Sequence, residues 1–581
     1  MPTTPKASTM AALLCSQAHA RGSASVYTYL ADGHDETRSL TFVELYLHAS
    51  AVAARLQRSL DPGDRALIMA DDPIEFIRAF MGCQLAGVIA VPAARPFPTY
   101  GGKRIATLQA IAANCGARAI LTGNSADFRE RVVDVAPGLE ALEWIAVEQV
   151  DEELAAEFRA RRVHAHDVSF LQYTSGSTST PKGVVVTHDA LMHNQELLYR
   201  SFSYGRDDVV ASWLPLFHDM GLIGTVFPAL YTGIQTVMMP PLVFVQQPAR
   251  WLRTITRYGA TVSGSADFGY AMCARRIAPE EREGLDLSSW RLAFSGAEPV
   301  RAATLDAFSE AFGPYGFDRR SWFPCYGLAE CTLMATGGEP GTGAKRLAVQ
   351  SGALREGLVA QGGEQTLIGC GMERLHRRVE IVDPVTRLRA GPAGVGEIWL
   401  AGPDVCAGYW ERPEESNEIF GARLADSGDG PFLRTGDLGF MHDGELYVTG
   451  RLKDVLIVGG RNHYPQDLET TVEASHDAIQ SGGCVAFAVE RDGREQVVVV
   501  AELQPARARV GVRLADLARG VRAAVSAQHG ITVDEVMLVE RKSVPKTTSG
   551  KLQRAACRAA FERGELQPVQ EPAVGDLQGV G

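Results

Sequence analysis

At 581 residues the chain is too long for one hydrophobic core, so two or more domains are expected. Hydrophobic residues make up 46% and charged residues 22%, ordinary for a globular enzyme, and a formal net charge of −12 argues against a general nucleic-acid or anionic-membrane surface. No run of eighteen apolar residues exists and Ala11–Cys15 is too short for a signal-peptide core, so a cytoplasmic protein without stable membrane insertion is expected.

In chain order, Arg65–Ala70 reads as a buried strand and Pro73–Leu85 as a helix, followed by strands at Gly87–Val91 and Ala119–Thr122. Ser169–Tyr173 and Val184–Thr187 are strands flanking a polar segment, and Gln235–Met239 and Leu292–Ser295 continue the series. Strands separated by helices imply βαβ units and a largely parallel sheet with covered faces. Gly439–Val448 reads as two short strands about an Asp443–Gly444 turn. The texture changes near Gly450, after which Val455–Val458, Cys484–Ala488 and Gln496–Ala501 suit a small α/β domain. The expected class is therefore α/β. Residues 1–450 form a large N-terminal domain of mixed, mainly parallel sheets covered by helices, and 455–566 a smaller C-terminal one. Residues 567–581, rich in Pro, Gly and Gln, are expected to be disordered. The ten cysteines show no CxxC pair and are expected to be separate buried thiols in a reducing compartment, with no zinc or disulfide framework.

The most informative segment is Tyr173–Gly183, in which Thr174, Ser175, Gly176, Ser177 and Thr178 lead to Lys182. Glycine lets backbone N–H groups approach an anion, hydroxyls add donors, and the lysine supplies a mobile cation for phosphate oxygens. The Walker A spacing is absent, and the segment joins two strands; a polar linker is the competing reading. Ser295, Gly296, Ala297 and Glu298 follow a buried strand at the carboxyl end, where ligands of parallel sheets sit. In Cys325-Tyr326-Gly327-Leu328-Ala329-Glu330, an aromatic face is available to adenine, and Glu330 is a hard oxygen ligand suited to the Mg²⁺ that accompanies ATP, with Thr174 as its companion candidate. Lys551 lies in a Gly- and Ser-bearing segment and on its own would read as a solubilising surface lysine, although a positioned cation offsets the repulsion between a carboxylate nucleophile and an anionic phosphate. Since the carboxylate is already ionised at neutral pH, no general base is required.

These motifs, in this order over roughly residues 25 to 560, resemble the adenylate-forming superfamily of acyl-CoA synthetases, luciferases and peptide-synthetase adenylation domains. The resemblance implies that Lys551, by its match to the family pattern, is the catalytic cation, that the Ser295–Pro299 turn lies against adenine, that Asp437 and Arg451 contact the ribose, and that Lys453 is the pivot of a hinge at 451–454 about which the C-terminal domain rotates. Three segments resemble the fatty acyl-AMP ligase branch: Leu214–Gly224, whose His218 would lie near the carboxylate and phosphate; Gly460–Glu469; and extra sequence within about 338–370. In that branch the extra segment restrains domain rotation and disfavours transfer to CoA. The implied reaction is activation of a medium- or long-chain fatty acid with ATP and Mg²⁺ as acyl-AMP, then transfer to the phosphopantetheine thiol of an acyl carrier protein, or of a carrier domain in a polyketide or peptide synthase. Phe268, Tyr270 and Met272 are candidates for the acyl tunnel or for core packing. Ser265-Ala266-Asp267 departs from the Gly, Pro and Asn more usual there, which puts chain-length preference in doubt. The alternatives are a fatty acyl-CoA synthetase using free CoA and a catalytically silent adenylate-binding module.

Overall fold

The computed structural model describes residues 7–96, 101–123, 126–174, 181–458, 461–491, 494–505, 512–547 and 550–570. Two large sheets share one core. The first has six strands in the order Glu143–Ala146, Ala119–Thr122, Arg65–Met69, Ile89–Pro92, Val168–Thr174, Lys182–Thr187, all parallel except the last. The second has nine, with a parallel centre running Trp322–Gly327, Leu292–Ser295, Val262–Ser265, Val209–Ser212, Gln235–Met238, Ser25–Tyr29 and antiparallel strands at both edges.

The helix Pro73–Ala86 lies between them with every residue buried. Its ends are written into the sequence. Asp72 caps the start by accepting from the N–H groups of Ile74 and Glu75, proline occupies the first turn, and Gly87 at φ 75 closes it in the left-handed region. A helix without a polar face must be covered on both sides. Phe80 makes that cover, with ring centroids 5.6 Å from Phe170 and 5.2 Å from Phe227.

A third, four-stranded antiparallel sheet (Arg378–Val382, Gly396–Ala401, Leu433–His442, Glu445–Arg451) completes the part before residue 452. Beyond it, Ile479–Arg491, Arg494–Leu503 and Glu535–Val539 form a three-stranded sheet. Helices Pro465–Ala474 and Leu514–His529 bury Leu468, Val472, Val521 and Val525 on one face; Arg554–Glu562 buries Cys557 and Phe561 on the other.

Within the expected insertion, Arg346–Val349 pairs with Gln365–Ile368 around the short helix Ser351–Arg355. Its Leu347, Val349 and Leu354 share a small core with Leu438, Phe440 and Tyr447 of the antiparallel sheet and with Tyr464 from beyond residue 452. Polar contacts follow the same seam: Arg355 Nη1 donates to the His529 carbonyl at 3.2 Å, and Gln365 Nε2 to Asp467 at 3.1 Å.

Two expectations need correction. Cys15 is exposed and Cys325 only half-buried, while the other eight thiols are buried; Cys15 sits on the outward face of the helix Met10–Arg21. The disorder expected from Gln567 onward does not hold for its first residues, because Pro568 bridges Val539 and the Val569 N–H donates to the Leu538 carbonyl at 2.8 Å; residues 571–581 lie outside the described residues.

Buried imidazoles make the fold acid-sensitive, His188 and His529 among them. Burial holds His188 and His529 down to about 4, the latter with the added repulsion of Arg355 and His463. The unfolded chain, with ordinary imidazoles near 6.5, takes up these protons first. Stability is therefore lost as pH falls from about 6.5 towards 4, at up to about 1.4 kcal/mol per pH unit for each group, and is untouched above that window. Urea midpoints are expected to fall between pH 6.5 and 4.5, and His188→Gln to flatten part of that fall.

Candidate active site

The site lies where parallel strands of the nine-stranded sheet end. Each strand delivers one element at its carboxyl end: Val209–Ser212 leads to His218, Val262–Ser265 to Phe268, Leu292–Ser295 to the Ser295–Glu298 turn, and Trp322–Gly327 to Glu330. This is the edge where an open α/β sheet holds its ligands.

The Ser295–Glu298 turn is tight. A Cβ on Gly296 would meet Cys325 Sγ at 2.9 Å, Ala297 adopts φ 70, and Ser295 Oγ is buried without a partner among the described residues. The Cys325 thiol reaches the Ser295 carbonyl at 3.6 Å, joining the two loops. Glu298 accepts the Phe268 N–H at 2.6 Å, and burial raises its carboxyl above the usual range.

Lys551 arrives from the other side of the cleft. Its N–H donates to Thr547 Oγ1 at 3.0 Å and its carbonyl accepts the Thr547 N–H at 2.8 Å, closing a short turn through Gly550 at φ 88. Gly550 rests on the Phe268 ring: a Cβ there would lie 3.8 Å from Phe268 Cζ. The Lys551 charge is felt by both Glu298 and His218. Burial pushes the His218 imidazole down to about 4 against the opposing influence of Asp219, with Lys551 adding to the fall, so His218 is neutral at pH 7. Gln172 Nε2 donates to the Phe217 carbonyl at 3.0 Å and fixes the turn that carries His218.

A second group surrounds Asp437. Tyr326 donates its hydroxyl to Asp437 Oδ2 at 2.8 Å, and Arg451 Nε donates to Oδ1 at 3.0 Å across the paired strands. The Leu328 side chain packs in the small core behind Tyr326. Glu330 is half-buried, its carboxyl raised by desolvation, and it accepts the Tyr409 hydroxyl at 2.9 Å. It forms no ion pair among the described residues, and the nearby Arg451 charge partly opposes the rise.

Thr174 and Lys182 pair across the stem of the candidate phosphate loop; Ser175, Gly176, Ser177 and Thr178 lie outside the described residues. Lys182 pairs with Glu415 and stands 5.1 Å from the centre of the Tyr409 ring. Lys453 is exposed in the single turn Leu452–Asp454, and the neighbouring Asp454 is held by Arg554 at 3.1 Å, which also grips Glu469 through two contacts of 2.7 Å.

One candidate stands apart. Tyr270 is fully buried among Trp251, Trp290, Phe308 and Trp322, its hydroxyl donating to the Phe294 carbonyl at 2.8 Å. Residues two apart on a helix face opposite ways, whereas Phe268 and Met272, four apart on Asp267–Arg276, share a face. Sequence reasoning missed Tyr409 and Glu415, although the aromatic and charged run Tyr409–Glu415 carried the signal. Among the described residues no cluster of His, Cys, Asp and Glu suits a resident metal, and no helix is long and apolar enough to cross a membrane.

The model of the AMP-binding enzyme family matches residues 16–410, and that of the Disco-interacting protein 2-like AMP domain matches 453–571. A relative named medium-chain-fatty-acid–[acyl-carrier-protein] ligase JamA, from Moorena producens (strain JHB), is 40% identical over 97% of this chain and 96% of its own. Long-chain-fatty-acid–AMP ligase FadD26 from Mycobacterium marinum (strain ATCC BAA-535 / M) is 36% identical over 96% of this chain and 97% of its own. A crystal structure of fatty acyl-adenylate ligase from L. pneumophila, in complex with acyl adenylate and pyrophosphate, is 36% identical with a TM-score of 0.75, covering 97% of this chain and 98% of that one. With these relatives spanning nearly its whole length, the chain belongs to the AMP-binding enzyme family.

Proposed function

We propose that this enzyme activates a medium- or long-chain fatty acid with ATP as acyl-AMP and then transfers the acyl group to the phosphopantetheine thiol of an acyl carrier protein. A carboxylate oxygen attacks the α-phosphorus, the bond to the leaving pyrophosphate breaks, and in the second step the thiolate displaces AMP from the acyl carbon. The observation that carries this reading is the convergence of Lys551 and the neutral His218 beside Glu298, supported by relatives named for the same chemistry.

Lys551 offsets charge between carboxylate and α-phosphate, Lys182 meets the outgoing phosphates in exchange for Glu415, and Asp437 with Arg451 holds the ribose. Neutral His218 orients the carboxylate without adding a proton to it. The Glu330 carboxylate and Thr174 hydroxyl are the oxygen ligands that fit Mg²⁺, which would neutralise phosphate charge. Phe268 and Met272 border the acyl chain. The 451–454 segment is the hinge, the domains being 1–450 and 455–566, and the carrier belongs to a polyketide or peptide synthase. The cytoplasm, which supplies ATP and keeps thiols reduced, is the fitting compartment.

Asp437→Asn removes a charged acceptor shared by Tyr326 and Arg451, and the KM for ATP is expected to rise by roughly 10- to 100-fold. The reading as a whole is tested by mass spectrometry of products from ATP, Mg²⁺, a ladder of fatty acids, CoA and a phosphopantetheinylated carrier. Acyl-AMP and acyl-carrier with little acyl-CoA support it. Efficient acyl-CoA formation would make the enzyme a synthetase, and the absence of any adenylate would remove fatty acids as the substrate.

A further inference from the structure

Two residues after Glu330 the backbone does something that neither helix nor strand requires. Thr332 has φ 69 and ψ −60, and the Leu333 N–H donates to the Cys331 carbonyl at 2.9 Å. This is a γ-turn of the rare, strained hand, and it is occupied by a β-branched residue for which positive φ is an outlier. Such a turn persists only where its surroundings over-determine it, and outliers of this kind concentrate at functional sites.

The surroundings here are specific. Thr332 is fully buried and donates its hydroxyl to the Asp404 carbonyl at 2.8 Å. Asn194, also fully buried, donates to the Met334 carbonyl at 3.0 Å, the Cys331 carbonyl at 3.4 Å and Asp404 Oδ2 at 2.8 Å, gripping the turn on both sides. Asp404 is locked in turn by buried Arg377 at 2.5 Å, whose Nη2 reaches the Met334 carbonyl at 3.4 Å. The segment that begins at Asp404 then runs along Glu330 itself. The Cys406 N–H donates to the Glu330 carbonyl at 2.9 Å, the Cys406 thiol to the Ala329 carbonyl at 3.3 Å, and the Tyr409 hydroxyl to Glu330 Oε1. On the other side, the turn drives the Leu333 carbonyl onto Gly327, where a Cβ would lie 1.8 Å from that oxygen.

We propose that the γ-turn at Thr332, clamped by Asn194, Asp404 and Arg377, is a positioning device that fixes the Glu330 carboxylate for the divalent cation arriving with ATP. It rests on the reading of Glu330 as a ligand of that cation. The contacts of the clamp are all to the backbone and side chains behind Glu330, so its part is to set the direction of a ligand carried on a short turn. Groups that orient a metal ligand from behind typically change metal affinity by about 10- to 100-fold when removed.

The test is Mn²⁺ binding followed by electron paramagnetic resonance, in the presence of a non-hydrolysable ATP analogue, alongside metal-free binding of that analogue. Thr332→Val keeps the shape and removes the donor; it is expected to weaken Mn²⁺ binding at least tenfold while leaving metal-free analogue binding and the thermal midpoint near those of the parent. Thr332→Ser, which keeps the hydroxyl, is expected to recover most of the loss. If Thr332→Val does not fold, Thr332→Gly, which adopts the turn without strain but lacks the hydroxyl, carries the same expectation. Glu330→Gln separates the two ideas. If it leaves Mn²⁺ affinity unchanged, Glu330 is not the ligand. If it weakens Mn²⁺ while the folded Thr332 variants do not, the positioning device is overturned.

Discussion

Lys551→Ala is expected to lower acyl-AMP formation by about 10²–10³-fold while ATP binding changes little. The asymmetry follows from the geometry. In the proposed reading the nucleotide is held by Asp437, Arg451 and the loop stem at Thr174 and Lys182, whereas the Lys551 charge is felt at Glu298 and His218, where the carboxylate would approach phosphate. Removing it leaves two like charges to meet without a cation. Pyrophosphate release, measured beside calorimetric binding of an ATP analogue, separates the effects. An equal loss in both would mean that Lys551 holds the nucleotide and does not assist the step.

The second expectation concerns the acceptor. Loosening the inserted segment with Leu354→Asp and Arg355→Ala together should raise acyl-CoA formation from free CoA by about tenfold or more, with the acyl-AMP half-reaction preserved. Leu354 sits in a core that contains Tyr464, and Arg355 grips the last turn of Leu514–His529, so the segment ties the C-terminal part to the body. A hydrogen bond from a charged donor contributes on the order of 1.5–3 kcal/mol when buried and less at a part-buried seam such as this one, and about 1.4 kcal/mol suffices for a tenfold shift between domain orientations. If the doubly substituted enzyme still forms only acyl-AMP, the barrier to CoA lies elsewhere, and the seam is packing without a gating role.

Much of the frame was legible because it is local. Leu292–Ser295 and Ala119–Thr122 form over the expected residues, and Pro73–Ala86 exceeds the expected helix by one residue, since caps and apolar runs are written in adjacent positions. Antiparallel pairings such as Arg378–Val382 with Gly396–Ala401 are contacts between segments, and which segment meets which is not recorded in local spacing. In the candidate site, motif residues could be named from the sequence, but their partners could not. The Tyr409 hydroxyl on Glu330 spans 79 residues, and the Asn194 bond to Asp404 spans 210. Spacing in the chain carries no information about such contacts. Phe268, Tyr270 and Met272 looked equivalent as aromatic or apolar residues, and only the helix they occupy separates the first and last from the second.

The helix Pro73–Ala86, buried on all sides between the two large sheets, also governs how the enzyme fails. One sheet carries the stem of the candidate phosphate loop, and the other carries His218, Glu298 and Glu330. Each closes one face against the helix they share, while the outer face of the six-stranded sheet keeps a core of its own around Leu67, Ile111 and Phe128. Heat that unseats this helix is therefore expected to loosen the candidate phosphate grip and the candidate acyl site together, read as coincident transitions by probes placed on either sheet.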